Sequence, residues 1–484
     1  MQLRRTLLWA WATVLLALLL WPLAAPGELL LRDMAVVDSP ALSLNAFGFG
    51  DLPARNAPQD GVLALFGFLP VSWLVRVILL ASGLAGAYGA MRLGPAQFAA
   101  VTITIYNPFV VERLLQGHWS LVMAAWLLPL IAALREHPRW QIVAMWAGSL
   151  TPTGAVVATV VGVVASRSRV RTACLGVVTW LPWLVPALLS TPTSGGATAF
   201  VVRAEAHAST PGTMLGLGGI WNADAVPASR ESGFALFGIA LFAVLITGFR
   251  NCPRPVLILG TCGLLACAGS WLLPGVFSWV VSTVPGAGLF RDSQKLLMFA
   301  IPAYAAMAGG LSRPPVEELA VALALVQMPD APREVAVLRP EYSDTAELAN
   351  LARGRDVLLV DAPPLVARSD GLPVVDPRSK ALSLVESGEL RVDGEITDSR
   401  SQRHVEASRA WGDGDLNELR ELGVGVVVDG GTVTETGAGP RRGWRFHLGI
   451  ALSLMWLVFP LVFPLVAALR RRPTLPTSGA GPAG

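Results

Sequence analysis

The chain has 484 residues, of which 53% are hydrophobic, and a formal net charge of +3. Its mean hydropathy of +0.55 excludes an ordinary soluble globule and indicates a protein with many membrane-embedded segments. A net charge this small gives no electrostatic reason to expect nucleic acid as a partner.

The charged residues are unevenly distributed along the chain. Of the 34 acidic residues, 23 lie between Glu317 and Glu435, so carboxylate chemistry elsewhere depends on a short list of residues. The four cysteines lie in or beside apolar runs: Cys174, Cys252, Cys262 and Cys267. Their spacing predicts neither a disulfide framework nor a metal site, and we expect no cofactor.

Apolar runs predict ten or eleven membrane spans. The first, Leu7–Ala25, follows Arg4 and Arg5, which favours an uncleaved span with a cytoplasmic N-terminus over the alternative of a signal peptide. The later spans are predicted at Val71–Ala90, Pro95–Ile105, Leu121–Leu134, Ala173–Leu189, Phe234–Thr247, Val256–Leu273, Leu296–Leu311, Val316–Met328 and Ala451–Leu469.

The apolar run Gln141–Ala165 is interrupted between Ser149 and Gly154 by a stretch that contains Pro152. Positively charged loops flank the run on both sides, which predicts that both of its ends are cytoplasmic. We therefore expect a re-entrant pair of half-helices, since broken helices are accepted where they line a cavity or are buried in protein. A single ordinary span is the alternative.

The hydrophobic pattern of the sequence changes near Pro329, where short apolar runs begin to alternate with amphipathic stretches. We predict a transmembrane domain over residues 1–328, an α/β domain over 329–442, a C-terminal transmembrane helix over 443–472 and a disordered tail over 473–484. Arg470, Arg471 and Arg472 predict a cytoplasmic end for the last span, which places the α/β domain outside the cell.

The segment from Tyr106 to Trp119 separates two apolar runs but is rich in polar groups. It carries an acid, a base and an imidazole in Glu112, Arg113 and His118. Ionisable residues at membrane depth are costly and usually line a cavity, so the segment predicts a functional site. The alternative is an interfacial turn in which Arg113 reaches lipid headgroups.

The same segment resembles a run in large actinobacterial and archaeal envelope proteins of the GT-C glycosyltransferase type, which include the mycobacterial arabinofuranosyltransferases. The stretches Leu289–Lys295 and Gly218–Asn222 are also similar to that family. The resemblance implies a GT-C-like α-helical polytopic membrane fold. It further implies an enzyme of the plasma membrane that transfers a sugar from a polyprenyl-phosphate donor to an envelope glycan or glycolipid acceptor on the outer face.

In GT-C enzymes the first external loop carries the catalytic carboxylate close to the end of the first span. The resemblance therefore implies Asp33 as the general base, with Asp38 as the nearest competitor. Arg113, Arg291 and Lys295 are the predicted phosphate ligands, and the four-residue spacing of the last two places them on one face if the segment is helical. The predicted substrate-binding set is Glu112, Arg113, His118, Trp221, Arg291, Asp292 and Lys295.

Four of these residues have ordinary alternatives. Arg291 and Lys295 either bind phosphate or belong to a salt-bridged loop end that contacts lipid headgroups. His118 either binds phosphate when protonated or is a hydrogen-bonded interfacial residue, and Trp221 either stacks on a sugar ring or is a residue of the aromatic belt.

Two other functions are compatible with the same pattern. A lipid or glycan flippase or transporter would use the polar breaks to line a path. A scaffold for envelope assembly would keep the fold without activity, because fold alone does not determine function.

Overall fold

The structure is a computed structural model that describes residues 2–190, 196–392 and 395–469. Within these ranges the helices are α1 Gln2–Leu20, α2 Gln59–Leu65, α3 Val71–Ala90, α4 Gln97–Ile105, α5 Pro108–Gln116, α6 Trp119–Ala133, α7 Pro138–Ala147, α8 Pro152–Ala165, α9 Arg169–Leu189, α10 Ser209–Leu215, α11 Leu236–Ile246, α12 Arg254–Leu272, α13 Pro274–Thr283, α14 Ile301–Gly309, α15 Pro314–Val326, α16 Ala331–Glu334, α17 Ala346–Ala352, α18 Arg378–Ala381, α19 Gln402–Gly412, α20 Leu416–Glu421 and α21 Trp444–Leu469.

The strands are short and lie outside the long apolar helices. They are β1 Leu29–Leu31, β2 Met34–Val36, β3 Asp356–Leu359, β4 Leu365–Ala367, β5 Pro373–Val375, β6 Ser383–Leu384, β7 Leu390–Val392, β8 Glu395–Asp398, β9 Val424–Asp429 and β10 Thr432–Glu435.

Six helical stretches of the described residues are long and apolar enough to cross a membrane, which makes the chain a helical membrane protein. They are Gln2–Ala24, Val71–Ala90, Gln97–Gln116, Arg169–Leu189, Arg254–Leu272 and Trp444–Val462. Three shorter apolar helices are α6, α8 and α11. Each of the six overlaps a predicted span, whereas the predicted spans Leu296–Leu311 and Val316–Met328 contain only the shorter helices α14 and α15. The predicted total of ten or eleven spans stays a prediction.

Helix α6 lies in the middle of the bundle, with almost every residue buried. Its neighbour α3 approaches it closely through two glycines. A Cβ at Gly86 would lie 2.3 Å from the carbonyl oxygen of Trp126, and one at Gly89 would lie 2.3 Å from the Cα of Leu130. Small residues at such contacts allow helices to pack closely where lipid removes the hydrophobic driving force. Helix α5, which carries the polar segment between α4 and α6, is buried along its whole length.

The broken run predicted as half-helices forms α7 and α8, which fold back on each other. Gln141 in α7 donates through Nε2 to the carbonyl oxygen of Gly162 in α8 at 3.4 Å. Near the break, a Cβ at Gly148 would lie 3.2 Å from the Cβ of Ala158. The two helices are thus antiparallel, and their position relative to a membrane stays a prediction.

The region after α15 contains a four-stranded sheet of order β10-β9-β3-β6, in which β3 is parallel to both neighbours. Alternate residues of β3 face opposite sides. Val357 packs in a cluster with Ala352 of α17, and Leu358 packs with Ala407 of α19 and Leu419 of α20. A parallel strand that is buried on both faces has a nearly continuous apolar sequence, and β3 has such a sequence. Helix α20 and strand β9 follow one another directly in the chain and pack on the same side of β3 through Leu419 and Val424.

This region contacts the loop between α1 and α3 through ion pairs. Lys380 lies 2.7 Å from Asp60, and Arg403 lies 3.3 Å from Asp51. The domain boundaries at residues 328 and 442 stay predictions. The predicted cytoplasmic cluster Arg470–Arg472 and the predicted disordered tail lie outside the described residues.

The predicted orientation has a direct test in cysteine labelling. The positive charges of the alternating loops predict that residues 32–60, 190–233 and 329–442 face outward. The exposed residues Asn56, Ala228 and Ser408 lie one in each of these regions. Single cysteines at these positions, in a background where Cys174 and Cys262 are replaced because they are exposed, are expected to react with an impermeant maleimide on intact cells. A cysteine at the exposed Trp140 is the matched control and should react only after lysis, because it directly follows residues 135–139, whose positive charge predicts a cytoplasmic loop. Protection of the cysteine at any of the three outward-facing positions would contradict the predicted orientation.

Candidate functional site

Asp33 lies in the turn of the hairpin formed by β1 and β2. The preceding residue, Arg32, has a φ of +48°, a conformation that is uncommon for a residue other than glycine. Its side chain donates to the carbonyl oxygens of Leu115 and, at 2.7 Å, Asp224. Its backbone nitrogen donates to the carbonyl oxygen of Pro373 at 2.8 Å. These contacts fix the turn, and with it the backbone position of Asp33.

The hairpin lies directly against the C-terminal end of α5. Gly117, which ends this helix, has a φ of +90°. A Cβ at that position would lie 2.4 Å from both the carbonyl oxygen of Leu31 and the backbone nitrogen of Met34. Only glycine permits this approach without displacing backbone atoms. The next residue is His118, and the close contact places its imidazole beside Asp33.

A chain of hydrogen bonds ends at the Asp33 carboxylate. Oδ2 of Asp33 lies 2.9 Å from Nε2 of His118 and accepts from Nε2 of Gln116 at 2.8 Å. On the other side of the imidazole, Arg113 lies 3.1 Å from Nδ1. Because a guanidinium can only donate, Nδ1 must accept and the neutral imidazole carries its proton on Nε2. His118 therefore donates to Asp33, and Oδ1 of Asp33 has no hydrogen-bond partner among the described residues.

The electrostatics of this pair agree with the hydrogen-bond directions. Desolvation by the surrounding protein opposes ionisation of Asp33, but the hydrogen bonds from His118 and Gln116 and the charge of Lys295 outweigh it and hold the pKa of Asp33 below its ordinary value. Desolvation lowers the pKa of His118 despite the attraction of Asp33. At neutral pH the site therefore holds an aspartate and a neutral imidazole. The Asp33 side chain is 43% exposed, which leaves Oδ1 accessible to a ligand.

Arg113 lies behind His118 and is itself held by an acid. Asp292 accepts from both terminal nitrogens of the guanidinium, at 2.9 Å for NH2, and Gln294 accepts from NH2 at 2.6 Å. The Arg113 side chain is fully buried. Desolvation would raise the pKa of Asp292, but the charge of Arg113 outweighs it and lowers that pKa below the ordinary value. Arg113 is thus positioned to orient His118, and its role as a phosphate ligand stays a prediction.

The burial of this ion pair predicts a large cost for breaking it. Asp292→Asn would leave the Arg113 charge buried without its counter-ion, and we expect a loss of about 3–5 kcal/mol in the free energy of unfolding. Thermal unfolding of the purified protein measures this loss. Asp413→Asn changes an exposed carboxylate that has no ion pair among the described residues and should leave the melting temperature unchanged. Equal melting temperatures for the two variants would contradict the expectation.

Glu112 extends the buried network inward. Its Oε2 accepts from Nε2 of Gln294 at 2.5 Å and from the backbone nitrogen of Ile220 at 2.9 Å. Arg230 lies 3.8 Å from Glu112 and also pairs with Glu205, and all three side chains are fully buried. Glu112 is therefore part of the scaffold behind the site. Arg230 and Glu205 were not singled out by sequence reasoning, because their loop is distant in the chain and has no periodic pattern.

Arg291 and Lys295 lie on two consecutive 3-10 helices, Ala287–Phe290 with Arg291 at its end and Ser293–Phe299. The four-residue spacing therefore does not place them on one helix face, because no single helix contains both. Nζ of Lys295 makes one weak contact, to the carbonyl oxygen of Leu289 at 3.4 Å, and lies within 4 Å of no described carboxylate. Burial lowers the pKa of Lys295 to about 8, against the attraction of Asp292. Lys295 is therefore a cation with unused hydrogen-bond donors.

The other predicted residues lie in different surroundings. Oδ1 of Asp38 accepts from the backbone nitrogen of Ser72 at 2.9 Å, at the N-terminus of α3, where an acid satisfies an otherwise unpaired donor. Trp221 packs edge-on against Phe200, with ring centroids 5.0 Å apart. The structure thus brings Asp33, Glu112, Arg113, His118, Asp292 and Lys295 into one neighbourhood and gives Asp38 a helix-capping contact. Gln116 and Gln294 were missed, although both lie inside segments that the sequence singles out.

No group of three or more His, Cys, Asp or Glu side chains suited to a metal ion occurs among the described residues.

No protein-family model matches the chain, and no curated protein matches it. A cryo-EM structure of a mutant of the arabinofuranosyltransferase AftD from mycobacteria is similar to it, with 17% sequence identity and a TM-score of 0.43. The similarity covers 87% of this chain and 36% of the AftD chain, so the chain spans about a third of the length of that protein.

Proposed function

We propose that the protein is a membrane glycosyltransferase in which Asp33 is the general base and Lys295 holds the phosphate of the sugar donor. The observation that carries this proposal is the state of the Asp33 carboxylate. One of its oxygens is saturated by His118 and Gln116, and the other has no partner among the described residues on a side chain that is 43% exposed. A carboxylate oriented in this way is suited to accept a proton from a bound hydroxyl.

The reaction follows from that geometry. An acceptor hydroxyl hydrogen-bonds to Oδ1 of Asp33 and attacks the anomeric carbon of the donor sugar. A new carbon–oxygen bond forms as the bond between the sugar and the phosphate breaks, and the hydroxyl proton passes to Asp33. The electron pair of the broken bond stays on the phosphate, whose negative charge is met by the ammonium of Lys295.

The residues behind Asp33 keep the base in position. The pair of Asp292 and Arg113 fixes the tautomer of His118, and His118 in turn holds Oδ2 of Asp33. Side chains whose partners are themselves fixed lose little freedom when the substrate binds, which favours the reactive arrangement.

The substrate class rests on the sequence resemblance to GT-C enzymes. We propose a polyprenyl-phosphate sugar as donor and an envelope glycan or glycolipid as acceptor, with the reaction on the outer face of the plasma membrane. A lipid-linked phosphate suits a cation that lies beside the end of an apolar bundle, because the prenyl chain then remains in the bilayer.

Transfer assays on membranes that contain the protein, with radiolabelled polyprenyl-phosphate sugars, test this function. The expected result is label in a larger glycan or glycolipid, dependent on both donor and protein. If no donor gives transfer, and the protein instead moves the labelled lipid between leaflets of a vesicle, the transporter alternative is correct and the proposal fails.

A further inference from the structure

The strand pair β7–β8, which we call the ribbon, contributes a carboxylate to the cations beside the site. Asp398, at the end of the ribbon, contacts NH1 of Arg291 through Oδ1 at 2.7 Å and through Oδ2 at 3.0 Å. The same Oδ2 lies 3.3 Å from NH1 of Arg55, in the loop between α1 and α3. One carboxylate from the region after α15 thus joins two arginines from loops of the helical bundle.

These arginines share their surroundings with Lys295. Repulsion from Arg55 and Arg291 is among the causes that lower the pKa of Lys295, after burial and alongside Arg113. Asp398 is bound to the two arginines, and Lys295 has no carboxylate within 4 Å among the described residues. Two arginines therefore share one carboxylate, and Nζ of Lys295 lies 3.4 Å from the carbonyl oxygen of Leu289, two residues before Arg291.

The ribbon itself is weakly held. Within the described residues β7 and β8 pair only with each other. None of the described ribbon side chains is buried, and that of Ile396 is 59% exposed. Beyond the ion pairs of Asp398, the ribbon accepts a long hydrogen bond of 3.4 Å from the backbone nitrogen of Gly196 to the carbonyl oxygen of Thr397. An isolated two-stranded ribbon is marginally stable, so the ion pairs of Asp398 are a large part of what fixes it.

We propose that Asp398 is the resident counter-ion of an anion site made of Arg55, Arg291 and Lys295, and that the phosphate group of a ligand takes its place and releases the ribbon. Arginine presents the same fork of donors to a carboxylate and to a phosphate, so the exchange preserves the hydrogen bonds of both arginines. A phosphate also brings a further oxygen for Lys295, which a carboxylate already held by two arginines does not supply. This inference rests on the proposed function, because it takes Lys295 as the phosphate ligand.

The exchange couples ligand binding to a movement of the ribbon. Since the ligand and Asp398 compete for the same donors, binding must loosen the ribbon, and loosening the ribbon must strengthen binding by the same factor.

Hydrogen exchange on the full-length protein in lipid nanodiscs tests the proposal, with farnesyl phosphate as the probe. In the wild-type protein the probe is expected to increase amide exchange at residues 390–392 and 396–398. Asp398→Asn is expected to bind the probe about tenfold more tightly, because it removes the competing charge. Its ribbon should exchange rapidly even without the probe. The matched control is Asp413→Asn, which makes the same change at an exposed carboxylate in the region after α15. It should behave as the wild type.

The outcomes separate this inference from the proposed function. If Lys295→Ala abolishes probe binding while Asp398→Asn binds as tightly as the wild type or less tightly, the anion site stands and the exchange is wrong. If the probe instead slows amide hydrogen exchange in the ribbon, the replacement of Asp398 by phosphate is likewise wrong. If the wild type does not bind the probe, both the anion site and the proposed function fail. Inorganic phosphate at equal concentration, compared with farnesyl phosphate, shows whether the phosphate alone drives the release or the lipid is required.

Discussion

Asp33→Asn is expected to lower the rate of sugar transfer by about a hundred- to ten-thousand-fold, the usual effect of removing a general base. Asparagine keeps the size of aspartate and can still accept a hydrogen bond from His118, but it cannot take the proton of the acceptor hydroxyl. The hairpin turn is held by Arg32, not by the Asp33 side chain, so folding should be unaffected. Single-turnover transfer with a saturating donor measures the loss, and donor affinity should stay within about twofold of the wild type.

Asp38→Asn is the matched control for the same chemical change in the same loop. The Asp38 side chain accepts a backbone hydrogen bond at the start of α3, and asparagine is an equally good acceptor there. The variant should therefore transfer sugar at a near-normal rate. Near-normal transfer by Asp33→Asn together with an inactive Asp38→Asn would place the base at Asp38. Full activity of the variant that combines Asp33→Asn with Asp38→Asn would show that the first external loop does not carry the general base.

The second large effect is expected at Lys295. Lys295→Ala removes a charged hydrogen-bond donor from the phosphate and should weaken donor binding by about tenfold to a hundredfold. The pH dependence is more specific. The pKa of Lys295 is lowered to about 8, so the ammonium is present below that pH and is lost as the pH rises through it. Donor affinity should therefore fall above pH 8 in the wild type.

Lys295→Arg distinguishes charge loss from a general effect of alkaline pH. An arginine stays protonated throughout this range, so the variant should keep its donor affinity between pH 7 and about pH 9.5. Lys380→Arg changes the other lysine of the chain, which pairs with Asp60 away from Lys295, and should retain the fall above pH 8. An identical pH profile for wild type and Lys295→Arg would show that Lys295 does not bind the donor.

Much of the architecture follows from sequence patterns that act locally. Long apolar runs predict the six helices able to span a membrane, since a bilayer demands about 20 apolar residues in a helix. The break near Pro152 predicts two half-helices because proline disrupts a helix interior. The short helices α14 and α15 are harder to interpret, because composition alone does not separate a short span from a helix buried in protein.

The site is predictable in its residue types and less so in its connections. The density of polar groups between two apolar runs singles out Arg113 and His118, and the structure links them through one hydrogen bond. The sequence also singles out Asp292, but it does not reveal that Asp292 pairs with Arg113, because the two residues lie far apart along the chain. A salt-bridged loop end is one of the two interpretations of Arg291 from sequence. Its partner Asp398 is not predictable, because that contact depends on how the region after α15 is placed against the bundle.

The hydrogen bonds of the Asp33 turn have a consequence for the order in which the protein is made. Arg32 emerges from the ribosome early, yet its backbone nitrogen and its carbonyl oxygen are bonded to Pro373 and Val375 in β5. Two carbonyl acceptors for its side chain, on Leu115 and Asp224, are synthesised in between. Contacts so distant in sequence form late, because a long stretch of chain must be ordered before they can close. During biosynthesis the apolar helices can therefore be inserted while the Asp33 turn still lacks the strand that fixes it, and the site becomes complete only when β5 arrives.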